Sequence, residues 1–319
     1  MAELVRLIEL GTTSVPLVGG VCSRLRRMVV ATADPLVRFK IGRFELLLPL
    51  AHRLPLYRRA HPLYDAAIGR LAALVHEKYP PAFVVDIGAN VGDTAAIIRS
   101  ESPAPLLCIE GDERFFALLE QNARGLGPAV HLEKALVGGA ADTVTGSLQS
   151  RNGTARVVSS GSGSITLITL EQILDRNPNL RPLGLVKIDT DGFDCPIVES
   201  NLGLWEKLGP VLFFEYDPAF YPGWDPLPMW EGLARAGYEQ VLVLENTGEY
   251  TLTVNLHDRL SLEDLHARYM GWSHGRYADV AVFPVRDADL AGYFRVGEQR
   301  AWFELRGVDS PPWMATGTR

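Results

Sequence analysis

The chain has 319 residues, 47% of them hydrophobic and 22% charged, with 31 basic against 38 acidic side chains and a net charge of −7. That balance is ordinary for a globular chain, speaks against a nucleic-acid surface, and comes without any apolar run of roughly 18 residues that could span a bilayer. The three cysteines, Cys22, Cys108 and Cys195, form no C-x-x-C pair, so neither a zinc knuckle nor a disulfide framework is expected, and a reducing cytoplasm fits.

Residues 1–80 read as an N-terminal extension making substrate or oligomer contacts. Leu4, Leu7 and Ile8 have helical spacing, and Arg24-Leu25-Arg26-Arg27-Met28 is a small basic and apolar patch. A capping or oligomer contact is expected there rather than a membrane-surface helix, which would need a longer amphipathic face. Val37 to Ile41 and Phe44 to Leu48 alternate around Gly42-Arg43 and predict a hairpin. Pro49 to Tyr64 then mixes imidazoles, phenols and guanidiniums around three prolines, the composition of a functional loop or of a linker tucked on the main body. Ala67, Ile68, Leu71, Leu74 and Val75 give the next helix its apolar face.

From residue 81 to 284 strand and helix patterns alternate, as in a doubly wound parallel sheet. Strands are expected at 82–87, 105–110, 129–133, 184–189, 210–216, 239–244 and 278–284, with helices near 92–100, 113–123, 193–201 and 227–236. Asp86, Glu110, Asp189 and Glu215 each end a strand, so all four carboxylates should face one crevice at the carboxyl edge of the sheet. Residues 138–168 read as a hairpin insertion with a tip at Ser159 to Gly163, and Gly248 to Tyr277 as an insertion whose His257, His266 and His274 lack metal-ligand spacing. Pro218 to Trp230 is an aromatic loop placed to line an acceptor pocket, and residues 285–319 should pack back on the body.

The turn Asp86-Ile87-Gly88-Ala89-Asn90-Val91-Gly92-Asp93-Thr94 joins a buried strand to a helix start, whose free N–H groups are a seat for a carboxylate or phosphate. A dinucleotide fingerprint wants a glycine where Asn90 stands, and Asp86 would repel a pyrophosphate while offering a partner to an ammonium. Glu110 lies 22 positions after Gly88, near the ~20 expected of the acid that binds ribose hydroxyls in adenosine cofactors of either kind. S-adenosylmethionine, with an ammonium and a carboxylate on its methionine half, meets both features.

Val84 to Asp93, Cys108-Ile109-Glu110-Gly111-Asp112, Thr169 to Leu174, Leu185 to Gly192 and Phe213-Phe214-Glu215-Tyr216 together resemble the FkbM family of S-adenosylmethionine-dependent methyltransferases. The resemblance implies a Rossmann-like class I methyltransferase, an α/β fold with a seven-stranded, mostly parallel sheet and flanking helices. Asp191-Gly192 and Asp194 stand where the family usually has Glu-Gly and a following Glu, keeping the charge on a shorter reach. It assigns the cofactor to Asp86, Gly88, Asn90, Gly92, Asp93, Thr94, Glu110 and Asp189. The His52-Arg53-Leu54-Pro55-Leu56-Tyr57 segment is similar to those of members acting on sugars.

The acceptor is accordingly expected against His52, Arg53, Tyr57, Glu215 and Tyr216, with O-methylation of a sugar or glycosylated metabolite as the reaction. A base that takes the hydroxyl proton is sought first in Asp189 or Asp191 and next in His52, with Lys187 paired to one of the carboxylates. Asp189, Asp191 and Glu215, with Asp217, could instead hold a divalent cation, an alternative not favoured because their spacing is unspecific. Competing readings are an NAD-type oxidoreductase and a non-catalytic S-adenosylmethionine-binding module. The expected partners are a small-molecule or glycan acceptor and no nucleic acid, with a homo-oligomer open through the N-terminal segment or the Trp302 patch.

Overall fold

The computed structural model describes residues 16–145, 147–151, 154–158, 163–271 and 276–311. The expected features at Leu4 to Ile8, at His274 and at most of the 159–163 tip lie outside the described residues. Helix α1 (Pro16–Thr32) leads into a hairpin of β1 (Leu36–Ile41) and β2 (Phe44–Pro49), which turns at Gly42-Arg43, where the apolar alternation breaks. One side chain fastens this hairpin to the body. Asn122 accepts from the Leu47 N–H (2.8 Å) and donates to the carbonyls of Leu47 (2.9 Å) and Val91 (2.8 Å), standing in for a strand partner.

After α2 (Leu54–Ala60) and α3 (Ala66–Lys78) come β3 (Phe83–Ile87), α4 (Asp93–Glu101), β4 (Leu106–Glu110), α5 (Glu113–Leu126) and β5 (Val130–Lys134). An excursion follows, in which β6 (Asp142–Thr145) pairs with β9 (Ser164–Leu167) and β7 (Ser147–Arg151) with β8 (Thr154–Val158), both antiparallel. The chain returns through α6 (Leu170–Arg176) to β10 (Leu183–Ile188), α7 (Asp194–Ser200), α8 (Leu202–Leu208) and β11 (Val211–Tyr216). It ends with α9 (Leu227–Arg235), β12 (Tyr238–Glu245), β13 (Tyr250–Asn255), α10 (Arg259–Gly271), β14 (Ala278–Pro284) and α11 (Ala288–Arg306).

The central sheet has eight strands in the order β13-β12-β14-β11-β10-β3-β4-β5. Strands β5, β4, β3, β10 and β11 are parallel, β14 runs antiparallel between β11 and β12, and β13 is an antiparallel edge. Seven strands stand close to where the apolar runs put them. The eighth, β13, comes from the segment expected to be a plain insertion; its pattern is weak because only Val254 is buried.

Helices cover both faces, so strand residues of either parity are apolar. Val85, Ile87, Val186, Ile188, Leu212 and Phe214 join one core, and Val84, Leu106, Leu185, Val211 and Phe213 join the other. On the second face α11 lies against α3, where Glu298, 2% exposed, takes a bidentate pair from Arg70 at 2.6 and 2.7 Å.

Candidate active site

The chain runs outward one way from β3 to β5 and the other way from β10 to β11, so the order reverses between β3 and β10. Loops diverge at such a point and leave a crevice beyond the strand ends. Here a cavity opens, walled by Gly88, Asn90, Asp93, Thr94, Glu110, Asp189, Asp191 and Glu215 from the sheet side. From the N-terminal segment His52, Arg53, Tyr57, Tyr64 and Asp65 close it, and Tyr277 reaches in ahead of β14.

The first turn is built for close approach. Gly88 sits at φ +83°, and a Cβ there would overlap the carbonyl oxygen of Asp189 on the neighbouring loop. Gly92, at φ +88°, caps the start of α4; it shapes the turn without lining the cavity, while Asp93 and Thr94 of the first helical turn do line it. Asn90 is left-handed at φ +49° and sends its N–H to Glu110 Oε2 at 2.8 Å.

Glu110 Oε1 takes the Asp112 N–H at 2.6 Å, so backbone donors reach both oxygens of the carboxylate. Burial pushes its pKa up to about 7, against the pull of the Asp112 and Asn90 N–H groups. Beside it Ile109, Phe115, Ala135, Leu136 and Val137 make an apolar wall.

Asp86 is placed differently from expectation. It is fully buried, is not part of the cavity wall, and faces Lys187, its register partner on β10, at 3.3 Å. An ammonium in the cavity therefore does not meet it directly; the sheet's own lysine has taken that place. Burial pushes Asp86 up to about 6 although Lys187 opposes the shift. Lys187 bridges on to Asp189 Oδ2 at 3.1 Å. Burial alone would lower the lysine pKa, but Asp189 and Asp86 raise it well above the usual value.

The loop after β10 is closed by Asp194, 1% exposed, which accepts from the N–H groups of Thr190 (2.8 Å) and Gly192 (3.2 Å). That closure holds Asp191 at φ +52° and Gly192 at φ +123° and turns Asp191 into the cavity wall. Glu215 sits opposite Asp279 of β14 in register, and both are raised, first by burial and then by neighbouring carboxylates, Asp279 to about 7. Asp65, at φ +54°, begins α3 without capping it and is raised by burial and then by Asp279, Asp93 and Asp189.

One expected acceptor residue needs correction. Tyr216 follows Glu215, so strand alternation sends it to the opposite face; it is buried against Trp230 and hydrogen-bonded to His266 Nδ1 at 2.9 Å, away from the cavity. His52 does line the cavity, but its Nδ1 lies 3.3 Å from the Leu54 N–H as acceptor, which assigns the proton to Nε2, 3.3 Å from the Asn90 side-chain oxygen. Both ring nitrogens of His52 are thus engaged by neighbouring groups. Arg53 and Tyr57 do line the cavity, and Tyr57 stacks on Tyr64 at 5.5 Å and 18°.

Sequence reading missed Tyr64, Asp65 and Tyr277. Asp65 directly follows the segment already singled out, and Tyr277 precedes a strand whose antiparallel direction brings its beginning, not its end, to the crevice. Among the described residues no group of three or more His, Cys, Asp or Glu is disposed to hold a metal ion, and no helix is long and apolar enough to cross a membrane.

No family model matches the chain, and no curated protein matches it. Solved structures similar to it include the precorrin-6y C5,15-methyltransferase of Geobacter metallireducens GS-15, at 14% identity and TM-score 0.35, covering 67% of this chain and 86% of that one. Methyltransferase FkbM from Methylobacillus flagellatus KT is 15% identical with TM-score 0.36, over 50% of this chain and 39% of that one. A SAM-dependent methyltransferase from Agrobacterium tumefaciens is 7% identical with TM-score 0.41, over 78% and 70%.

Proposed function

We propose that this chain is an S-adenosylmethionine-dependent methyltransferase that delivers its methyl group to a hydroxyl oxygen of a small acceptor, a sugar or a glycosylated metabolite. One observation carries the reading. A buried Glu110 carboxylate, gripped by backbone N–H groups, stands inside the cavity on the strand beside the glycine turn. A carboxylate so placed suits a ribose diol, and the apolar wall from Ile109 to Val137 suits a flat purine. The turn from Gly88 to Thr94 would hold the methionine end, and the acid-rich remainder of the cavity suits a sulfonium. When bound, the cofactor supplies a methyl group already activated for in-line displacement.

The chain's own residues have the remaining tasks. They must align an acceptor oxygen with that methyl, exclude water and take a proton. Asp189, ion-paired to Lys187 with its side chain 46% exposed, is the proposed base, with Asp191 beside it on the same loop. A positioned base contributes about 10²–10⁴-fold. Glu215 and Asp65, held toward their neutral forms, suit hydrogen bonding to acceptor hydroxyls. The Tyr57–Tyr64 stack offers a flat face to a sugar ring, and Arg53 a donor fork.

A dinucleotide fits less well, because Asn90 carries a side chain, tied to His52, where a pyrophosphate needs bare glycine backbone. Calorimetry tests the reading. S-adenosylhomocysteine is expected to bind and reduced nicotinamide dinucleotide not to, with Glu110→Ala weakening the former by about 100-fold, roughly 2.7 kcal/mol. Equal affinity in Glu110→Ala would overturn the assignment.

A further inference from the structure

We infer that the outward face of α1 is a docking surface for an anionic phospholipid bilayer. The helix runs 17 residues, longer than the basic patch alone suggested. Its inner face is accounted for: Val29 and Val30 pack on the Val37, Leu48 and Leu50 cluster, and Arg26 donates to the carbonyls of Leu50 (2.6 Å) and His52 (3.3 Å).

The other face carries Val21, Leu25 and Met28, 56%, 41% and 66% exposed, at the i, i+4, i+7 spacing that puts them on one stripe. Arg24 and Arg27, both exposed, lie along one edge of the stripe, and no acidic residue occurs between Pro16 and Thr32. In a chain of net charge −7, this helix is a basic, apolar-striped exception. Apolar side chains that enter the interface with arginines at headgroup level are what a bilayer-surface helix needs.

Charge also separates this occupant from a second copy of the chain. A two-fold contact through the same stripe would set Arg24 and Arg27 against their own copies, whereas anionic headgroups complement them. The helix lies on a bilayer rather than crossing it. Since Arg26 fixes it to the carbonyl of His52, docking would hold the cavity mouth, with His52 and Arg53, near the membrane surface. The inference does not depend on the reaction proposed above.

Flotation of the full chain with unilamellar vesicles tests it, using phosphatidylcholine alone or with about 30% phosphatidylglycerol, at about 0.05 and 0.5 M NaCl. Binding is expected only with phosphatidylglycerol, falling several-fold at the higher salt. Arg24→Glu with Arg27→Glu, and separately Leu25→Ser with Met28→Ser, should each reduce it about tenfold with an unchanged circular-dichroism spectrum. Wild-type binding that neither pair weakens, or no flotation at all, would overturn the inference. So would a dimer in sedimentation that Leu25→Ser with Met28→Ser dissolves, since that names a second copy as the occupant.

Discussion

Gly88 shows how little room the site leaves at the scale of one residue. Its φ of +83° costs an L-residue about 1–2 kcal/mol, and a methyl there also meets the Asp189 carbonyl on the loop that carries the proposed base. Gly88→Ala should therefore move both loops, lowering the melting temperature by about 2–8 °C. Its S-adenosylhomocysteine affinity should fall by more than about tenfold, as scanning calorimetry and titration would show. Asp279 offers a test in pH. Burial raises its folded-state pKa from 3.8 to about 7, so the folded chain binds the proton more tightly than the unfolded one. Stability is then lost as pH rises from the unfolded toward the folded pKa, and the penalty is complete above it. Asp279→Asn never carries that penalty. Its melting temperature should exceed wild type by a few degrees at about pH 8, with the gap shrinking toward about pH 5. A gap independent of pH would contradict the burial argument.

Among elements, α3 and α11 share an apolar cluster and the Lys78–Asp289 pair, and between them lies one buried acid, Glu298. Removing one partner of a fully buried ion pair costs about 3–5 kcal/mol, but the Arg70 side chain keeps 30% of its surface in water. Glu298→Ala should therefore cost about 2 kcal/mol, read from the urea midpoint at unchanged slope. Elements buried on both faces were legible in the sequence, because β3, β4, β10 and β11 are apolar runs between turns, each broken by a charge only near its carboxyl end. Strand β13 was not, since an edge strand with one exposed face carries little pattern. The α1 face was legible as a short basic and apolar patch; which side chains stay outside depends on the hairpin beneath. Asp86 and Lys187 illustrate a different limit. Each is visible as a strand-end charge, but their pairing is a matter of register between strands 100 residues apart.

Over the whole molecule, parallel strands share a carboxyl edge, and of the four strand-end acids expected at one crevice Glu110, Asp189 and Glu215 line it, joined by Asp191 from the loop after β10, whereas Asp86 is buried against Lys187. The same rule, applied to strand ends alone, missed Tyr277, because β14 runs the other way and presents its start to that edge. Asp65 escaped because no pattern marks a left-handed residue before a helix. What unifies the cavity is its acids: Asp65, Asp93, Glu110, Asp189, Asp191 and Glu215 line it, Asp65 and Glu215 held toward their neutral forms, while Lys187 is already paired to Asp86 and Asp189. That acid-rich lining suits a cationic methyl donor better than a dinucleotide. The most direct measurement is a crystal structure with S-adenosylhomocysteine. Ribose hydroxyls are expected on Glu110, the methionine end over the Gly88 turn and the sulfur facing Asp189 and Asp191. Density for the ligand elsewhere, or Glu110 turned away from it, would overturn the cofactor assignment.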